Sequence, residues 1–263
     1  MTAPARTDTP AARAFVWGGA ALFAASLAYF LFSYGVTFRE SATGPLAPRD
    51  VAIDIALFSV FALHHSLFAR TPLRDWVSRS ASPQLERSIY VWVASLMLIL
   101  VCALWRPIPG VAWEVSGPGA WALRAATMAG LLLTLRSAVM IDVWELAGVR
   151  PARVPAPRPS STPDPGLQTP DTGAEHREWG VRKWGFRTDG PYGWVRHPIY
   201  SGWILIVFGV TPMTMTRLVF AVVSCAYVLF AIPLEERMLR ATSGGAYEAY
   251  MQKVRSKLIP GIY

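Results

Sequence analysis

Apolar residues run along this chain in long, nearly unbroken windows that are separated by polar segments. A helix that crosses a bilayer takes about 20 mostly apolar residues, and four windows approach or exceed this length. They are Phe15–Val36, Val51–Ala69, Ser88–Trp105 and Trp121–Ile141. Two shorter windows, Ile199–Pro212 and Leu218–Leu234, flank a small turn and predict a helical hairpin. The pattern predicts an all-α fold, a polytopic transmembrane helical bundle of about five or six spans.

The remaining segments contain no alternating pattern long enough to predict a sheet, and no internal repeat. Residues 151–175 are rich in Pro, Ser and Thr, a composition that cannot bury a core. We predict a disordered cytoplasmic insert here, within a single integral-membrane domain that covers residues 1–263. Near the C-terminus, Tyr247, Tyr250 and Val254 follow helical spacing, which predicts an amphipathic helix at the membrane interface.

Composition and charge agree with a membrane protein. Hydrophobic residues make up 53% of the chain and charged residues 16%, against about a quarter in soluble domains. The net charge is +8, and in the six-span arrangement 19 of the 25 Lys and Arg residues fall on one side. Because Lys and Arg concentrate on the cytoplasmic side, both termini are predicted to be cytoplasmic. The basic excess is thereby explained by topology, and no nucleic-acid partner is expected.

Ionisable residues gather at the predicted cytoplasmic ends of several spans. They include His64 and His65 near the end of the second window, Arg196 and His197 before the fifth, and Glu235 and Glu236 after the sixth. Pro198 suits the first position of a helix, whose free N–H groups attract a carboxylate, and Arg196 adds donors. The paired glutamates could bind an ammonium group and sugar hydroxyls. By charge spacing alone, the competing interpretation of topology markers and a solvated helix end is favoured.

The sequence excludes several metal and redox sites. Both cysteines, Cys102 and Cys225, lie inside apolar windows, which excludes a disulfide framework and a Cys-based zinc site. Four histidines are too few for the histidine-rich di-iron sites of membrane desaturases and hydroxylases. His64 and His65 are adjacent and lack the i, i+4 spacing of helical metal ligands. No metal is expected.

The motifs closely resemble a known signature. Gly190–Tyr192, Val195–Gly202 and Leu234–Leu239 are similar to the signature of membrane-embedded methyltransferases, the superfamily of isoprenylcysteine carboxyl methyltransferases and phospholipid methyltransferases. Leu63–Arg70 and Glu86–Tyr90 look like the corresponding segments of bacterial methanethiol S-methyltransferases. Two features depart from that group, since a Gln is common where His64 stands and the Pro-rich insert lengthens a short loop.

The resemblance implies a cofactor and a set of site residues. It implies S-adenosyl-L-methionine as methyl donor, in a pocket to which Arg196, His197, Tyr200 and Gly202 contribute. Glu235 and Glu236 would bind the polar end of the cofactor. The implied reaction is methylation of a small thiol, methanethiol to dimethyl sulfide, by a protein embedded in membrane lipid.

A thiol acceptor must lose a proton, and His65 or His64 is the candidate catalytic base. Adjacent helical residues point about 100° apart, so the two histidines are not expected to face one site. Two alternatives stay open. One is a lipid-borne acceptor, such as a prenylcysteine carboxylate or a lipid headgroup, and the other is a non-enzymatic membrane protein of the nitric-oxide-respiration type. Arg136 is expected to pair with Asp142, Glu145 or Asp54.

Overall fold

A computed structural model describes residues 9–68, 83–150, 186–243 and 245–263. The predicted disordered insert at residues 151–175 lies outside them. The described chain is mostly helical, as predicted. Its helices are α1 (Pro10–Gly35), α2 (Pro48–Phe68), α3 (Pro83–Leu104), α4 (Gly117–Ile141), α5 (Val143–Leu146), α6 (Pro198–Phe208), α7 (Met215–Ser243) and α8 (Ala246–Lys253).

Four of the described helical segments are long and apolar enough to cross a membrane, which makes this an integral membrane protein. They are Pro10–Arg39, Leu85–Leu104, Gly117–Ile141 and Met215–Ser243. The helix α6 is apolar but shorter. With 29 residues, α7 is about 44 Å long and exceeds a hydrocarbon core of about 30 Å.

The chain divides into two compact units. The first unit comprises Met1–Ala152 and Pro198–Ala231, and the second comprises Arg153–His197 and Ile232–Tyr263. The division falls inside α7, next to Pro233, a proline within the helix. Proline cannot donate the hydrogen bond of a regular helical turn, so the regular hydrogen-bonding pattern is interrupted at that position. The single membrane domain of residues 1–263 stays a prediction.

Aromatic side chains fill the core of the first unit. Phe220 lies at its centre and is fully buried. Its ring is within 6.2 Å, centroid to centroid, of six other aromatic rings. These rings belong to Phe30, Tyr34, Phe38, Phe58, Trp105 and Trp203. Large buried aromatic surfaces of this kind supply much of the packing contribution to stability.

Three loops of the first unit meet in what we call the loop junction, residues 36–47, 105–116 and 209–216. Thr214 Oγ1 donates to the Phe38 carbonyl over 2.6 Å, and Ser41 Oγ accepts from the Gly110 amide at 3.1 Å. Within the junction, β1 (Val111–Trp113) pairs antiparallel with β2 (Met213–Thr214). The sequence predicts no sheet, because strands of two or three residues are too short to show an alternating pattern.

Arg217 also differs from its predicted surroundings. The sequence pattern puts Arg217 at the small turn between the last two apolar windows, as one of four cations predicted on the outer side. In the structure it lies in the first turn of α7 and is buried. Its guanidinium donates to the carbonyls of Tyr34 at 2.9 Å, Gly35 at 2.8 Å and Pro212 at 2.7 Å. The terminal carbonyls of a helix lack partners within the helix, so Arg217 caps the C-terminal end of α1.

The ion pairs expected for Arg136 are replaced by other contacts. Asp142 caps α5 by accepting from the Trp144 amide at 3.0 Å, and its other oxygen pairs with Arg150 at 2.9 Å. Asp54 is fully buried and accepts from the Arg106 amide at 2.8 Å. Arg136 is exposed on α4. The predicted ion pair of Arg136 with Asp142 is therefore replaced by an Arg150–Asp142 pair.

In the second unit, the tail helix predicted from periodicity is α8. Its tyrosines Tyr247 and Tyr250 are buried against Phe186, with ring centroids 5.0 and 5.7 Å from the Phe186 centroid. Leu239 of α7 packs against the same cluster. This part of the apolar face of α8 is thus covered by protein, and the position of the helix at a membrane interface stays a prediction.

Candidate functional site

A buried ion pair lies at the centre of the second unit. Arg196 Nε donates to Glu236 Oε1 over 2.7 Å, and the two side chains are 4% and 6% exposed. Arg196 directly precedes the His197–Pro198 step at the start of α6, and Glu236 lies on α7. Burying a charged side chain costs free energy unless an opposite charge or hydrogen bonds compensate for the lost water. Here Arg196 and Glu236 compensate each other.

His197 joins the same carboxylate. Its Nε2 atom lies 3.2 Å from Glu236 Oε1. A carboxylate can only accept, so the hydrogen bond requires that Nε2 carries the proton. On the other side of the ring, Nδ1 is 4.0 Å from Glu235 Oε2. His197 therefore lies between both glutamates of the pair that the sequence singles out.

The C-terminal segment closes around Arg196. One terminal nitrogen of the guanidinium donates to the carbonyls of Val254 at 2.9 Å and Arg255 at 2.5 Å. The backbone amides of Arg196 and His197 donate to the carbonyls of Ser256 and Lys257, each at 3.0 Å. The guanidinium thus makes three hydrogen bonds to protein acceptors. These contacts favour an organising role for Arg196 within the protein, and its predicted contact with an anionic ligand stays a prediction.

Two tyrosines of α8 complete the cluster. Tyr247 donates from its hydroxyl to Glu236 Oε1 at 3.3 Å, and Tyr250 donates to the Tyr192 carbonyl at 2.8 Å. Burial, together with the nearby Glu236 carboxylate, holds the pKa of Tyr247 well above its usual value. Burial likewise raises the pKa of Tyr250 to about 12. Both phenols are therefore protonated at neutral pH and remain donors.

Sequence reasoning missed Tyr247 as a contact of Glu236, although it identified the residue as part of an amphipathic face. A signal was available, because a buried tyrosine in an otherwise apolar stripe usually finds a polar partner for its hydroxyl. Nothing in the sequence pattern indicates the backbone carbonyls of residues 254–257 as acceptors.

A cavity opens beside Glu236. Its volume is 570 Å³, and it is lined by Pro233, Glu236, Arg237, Arg240, Ala241 and Lys257. Small-molecule sites in proteins typically measure about 300–1,000 Å³. The lining combines one carboxylate with three cationic side chains, an arrangement suited to a ligand that carries both an anionic and a cationic or hydroxyl-bearing end.

The other candidate residues belong to the first unit. Tyr200 is half-buried in the first turn of α6. Gly202, two residues further on, is buried where α6 meets α4: a Cβ atom there would clash with Thr134 Oγ1 and lie 2.7 Å from the Gly130 carbonyl oxygen. Small residues let helices approach closely in membranes, so the structure gives Gly202 a packing role.

His64 and His65, at the end of α2, meet the same residue of α3. The Tyr90 hydroxyl lies 2.6 Å from His65 Nδ1, and the Tyr90 ring stacks on His64 with centroids 5.9 Å apart. The two histidines were not expected to face one site, yet both of their rings contact the Tyr90 ring, with centroids 5.9 and 5.7 Å away. Among the residues that the structure describes, no three His, Cys, Asp or Glu side chains are grouped to hold a metal.

Comparison with known proteins gives several matches. Residues 183–241 match the isoprenylcysteine carboxyl methyltransferase family. The methanethiol S-methyltransferase of Mycobacterium tuberculosis is 33% identical over 252 residues, which cover 90% of this chain and 93% of the relative. The chain belongs to this methyltransferase family. It is therefore an enzyme of the membrane methyltransferase class.

Other family members match over most of their length. Methanethiol S-methyltransferase 2 of Bradyrhizobium diazoefficiens is 33% identical over 81% of this chain and 74% of its own. The enzyme of Crocosphaera subtropica is 36% identical over 80% and 74%. The isoprenylcysteine carboxyl methyltransferase match includes Arg196, His197 and Glu236 but ends before Tyr247. No solved structure matches the chain.

Proposed function

We propose that this methyltransferase uses S-adenosyl-L-methionine to methylate methanethiol, with dimethyl sulfide as the product. The observation that carries the proposal is the extended similarity to proteins named methanethiol S-methyltransferase, over 80% or more of this chain. The buried Arg196–Glu236 pair and the cavity beside it supply a physical site for the cofactor.

The residues around the cavity fit this cofactor. Its amino-acid end carries a carboxylate and an ammonium group, and its sugar carries hydroxyls. Arg240 and Lys257 line the cavity as partners for a carboxylate. Glu235 does not itself line the cavity but is adjacent to the lining residue Glu236 on α7, and its side chain is 33% exposed. In this proposal Glu235 supplies the acceptor for the ammonium group or the hydroxyls. Bound there, the cofactor supplies an electrophilic methyl group on a sulfonium sulfur.

In this proposal Glu235 and Glu236 have different roles. Glu236 accepts from Arg196, His197 and Tyr247 through one oxygen and holds the cavity wall in place. Glu235 contacts the ligand. A preorganised wall of this kind reduces the reorganisation that binding requires.

For the acceptor, we propose that His65 is the base that removes the thiol proton. The thiolate is the nucleophilic form of a thiol, and a neutral imidazole can accept a proton near neutral pH. His64 is the weaker candidate, because its ring is stacked against Tyr90 and partly covered. Apolar surroundings suit methanethiol, a small and membrane-permeable molecule.

The proposed topology has six membrane crossings, with both termini and the site on the cytoplasmic side of a bacterial inner membrane. The loop junction supports six crossings: its three loops lie at one end of the first unit, as expected if α2 and α6 cross as well as the longer helices. The Lys and Arg distribution supports the orientation, since 19 of the 25 fall on the proposed cytoplasmic side, four on the other side and two, Arg124 and Arg136, inside α4.

The test combines headspace detection of dimethyl sulfide with direct measurement of cofactor binding. Purified protein in lipid nanodiscs receives methanethiol and S-adenosyl-L-methionine, and binding of the donor is measured separately by calorimetry. We expect dimethyl sulfide from the wild type, and at least a hundredfold loss of rate with unchanged donor binding in His65→Ala.

Three outcomes would overturn parts of the proposal. Donor binding without dimethyl sulfide would retain the cofactor and redirect the acceptor to a lipid-borne group. Absence of donor binding in well-folded wild-type protein would contradict the cofactor assignment. Full activity of His65→Ala would remove His65 as the base.

A further inference from the structure

Tyr90 makes a close contact with one of the two candidate histidines. Its hydroxyl oxygen lies 2.6 Å from His65 Nδ1 and 3.5 Å from Nε2, so the hydrogen bond is made to Nδ1. Tyr90 is 8% exposed, whereas His65 is an exposed residue at the end of α2. The buried Tyr90 hydroxyl of α3 therefore contacts Nδ1 of the exposed His65 on α2.

The position of Tyr90 is itself fixed by its neighbours. The Arg87 guanidinium lies 5.0 Å from the Tyr90 ring centroid, and Arg87 Nε donates to the Glu145 carbonyl of α5 at 3.1 Å. Phe23 of α1 packs against the cluster that Tyr90 forms with Val91. The phenol therefore has little freedom to move away from His65.

A hydrogen bond to one nitrogen of a histidine ring affects the protonation of the other nitrogen. A neutral imidazole carries one N–H and one lone pair, and the hydrogen bond at one nitrogen decides which nitrogen holds the proton. When the Tyr90 oxygen accepts from Nδ1–H, the lone pair is on Nε2, and only that tautomer allows Nε2 to act as a base.

We propose that Tyr90 is a positioning residue for His65: its oxygen accepts from Nδ1–H, so that the Nε2 lone pair is the proton acceptor. The inference rests on the proposed function. In the step concerned, the S–H bond of the thiol breaks, its electron pair stays on sulfur, and the proton moves to Nε2. The resulting imidazolium keeps its Nδ1–H bond to the Tyr90 oxygen and later releases the Nε2 proton to water.

Tyr90→Phe tests this, because it keeps the ring and removes the hydroxyl. We expect kcat to fall about tenfold, less than for loss of the base, with unchanged KM for methanethiol and unchanged donor binding. In a His65→Ala background the same substitution should have no further effect, because the hydroxyl acts only through His65. Tyr29→Phe, which removes a hydroxyl from the exposed Tyr29 of α1, is the matched control and should leave kcat unchanged.

A spectroscopic readout separates positioning from a purely structural role. ¹⁵N spectra of histidine-labelled protein report which ring nitrogen of His65 is protonated. We expect Nδ1–H to dominate in the wild type and a mixture of tautomers in Tyr90→Phe. Unchanged tautomer populations, or additive rate losses in the double variant, would overturn the inference. An active His65→Ala variant would instead contradict the assignment of the base.

Discussion

At the scale of single residues, Glu235 and Glu236 show how neighbours in the chain can meet different surroundings. Glu236 is 5% exposed and accepts from a guanidinium, an imidazole and a phenol. The Glu235 side chain is 33% exposed, and its Oε2 lies 4.0 Å from His197 Nδ1. Adjacent residues on a helix point about 100° apart, which puts one carboxylate into the protein and leaves the other accessible.

The two glutamates are therefore expected to respond differently to neutralisation. Glu236→Gln should lower the free energy of unfolding by about 3 kcal/mol, because loss of one charge leaves the buried Arg196 uncompensated. Glu235→Gln should weaken donor binding about tenfold and change the stability by less than about 0.5 kcal/mol. Denaturant unfolding in detergent micelles and calorimetric titration with S-adenosyl-L-methionine measure the two effects. Equal loss of stability in both variants would contradict this division of roles.

The sequence could identify most residues of this cluster but not their partners. Residue type and spacing single out Arg196, His197 and both glutamates, and the resemblance to a methyltransferase signature groups them. Which acceptors a buried guanidinium finds depends on the packing around it. Arg196 has five donors, and the carbonyls of residues 254 and 255 take two of its hydrogen bonds. Residue types and their spacing do not indicate which backbone carbonyls will accept these hydrogen bonds.

At the scale of helices, α4 and α6 pack through small residues. A Cβ atom on Gly130 would lie 2.7 Å from the Gly202 carbonyl oxygen, and the relation is mutual. Backbone atoms cannot move aside as flexible side chains can. We therefore expect Gly202→Ala to separate the two helices and to lower the free energy of unfolding by about 1–3 kcal/mol.

Gly35→Ala is the matched control for that substitution. Gly35 ends α1, and a Cβ atom there would meet nothing within 4 Å. Since alanine is favoured over glycine in helices by about 0.5–1 kcal/mol, this variant should be neutral or slightly more stable. Thermal unfolding of both variants in the same detergent gives the comparison. If Gly202→Ala keeps the wild-type stability but loses donor binding, Gly202 lines the cofactor pocket, as the family resemblance implies.

Helices were more predictable than their connections, for a physical reason. A membrane span must be apolar along its whole length, so each span is visible in the sequence as a long run of apolar residues. The β1–β2 pair and the Arg217 cap at the end of α1 depend on two or three residues that meet across the loop junction. Arg217 follows the helix-start sequence Met215–Thr216 and looks like an interfacial charge until the α1 carbonyls are placed beside it.

At the scale of the whole molecule, the loop junction and the charge distribution make a joint prediction about topology. Ser41 and Gly110 are hydrogen-bonded, so the loop after α1 and the loop after α3 lie at the same end of the first unit. If α1 and α3 cross a membrane, their following loops can lie at the same end only if α2 crosses it too. By length and composition, α2 is not among the four described helical segments that could span a membrane. The proposed six crossings predict that both loops are on the side of the membrane opposite the basic C-terminal segment.

Single cysteines at exposed positions test this arrangement, in a background that lacks Cys102 and Cys225. We expect Thr43→Cys and Glu114→Cys to react with a membrane-impermeant maleimide in intact cells, and Gln252→Cys to react only after permeabilisation. If Glu114→Cys is protected while Thr43→Cys reacts, α2 does not cross and the six-span topology is wrong. If all three patterns are reversed, the number of crossings stands and the orientation is inverted. The positive-inside bias predicts the first pattern, because the loops at residues 43 and 114 are nearly free of Lys and Arg and the tail from Arg237 carries five.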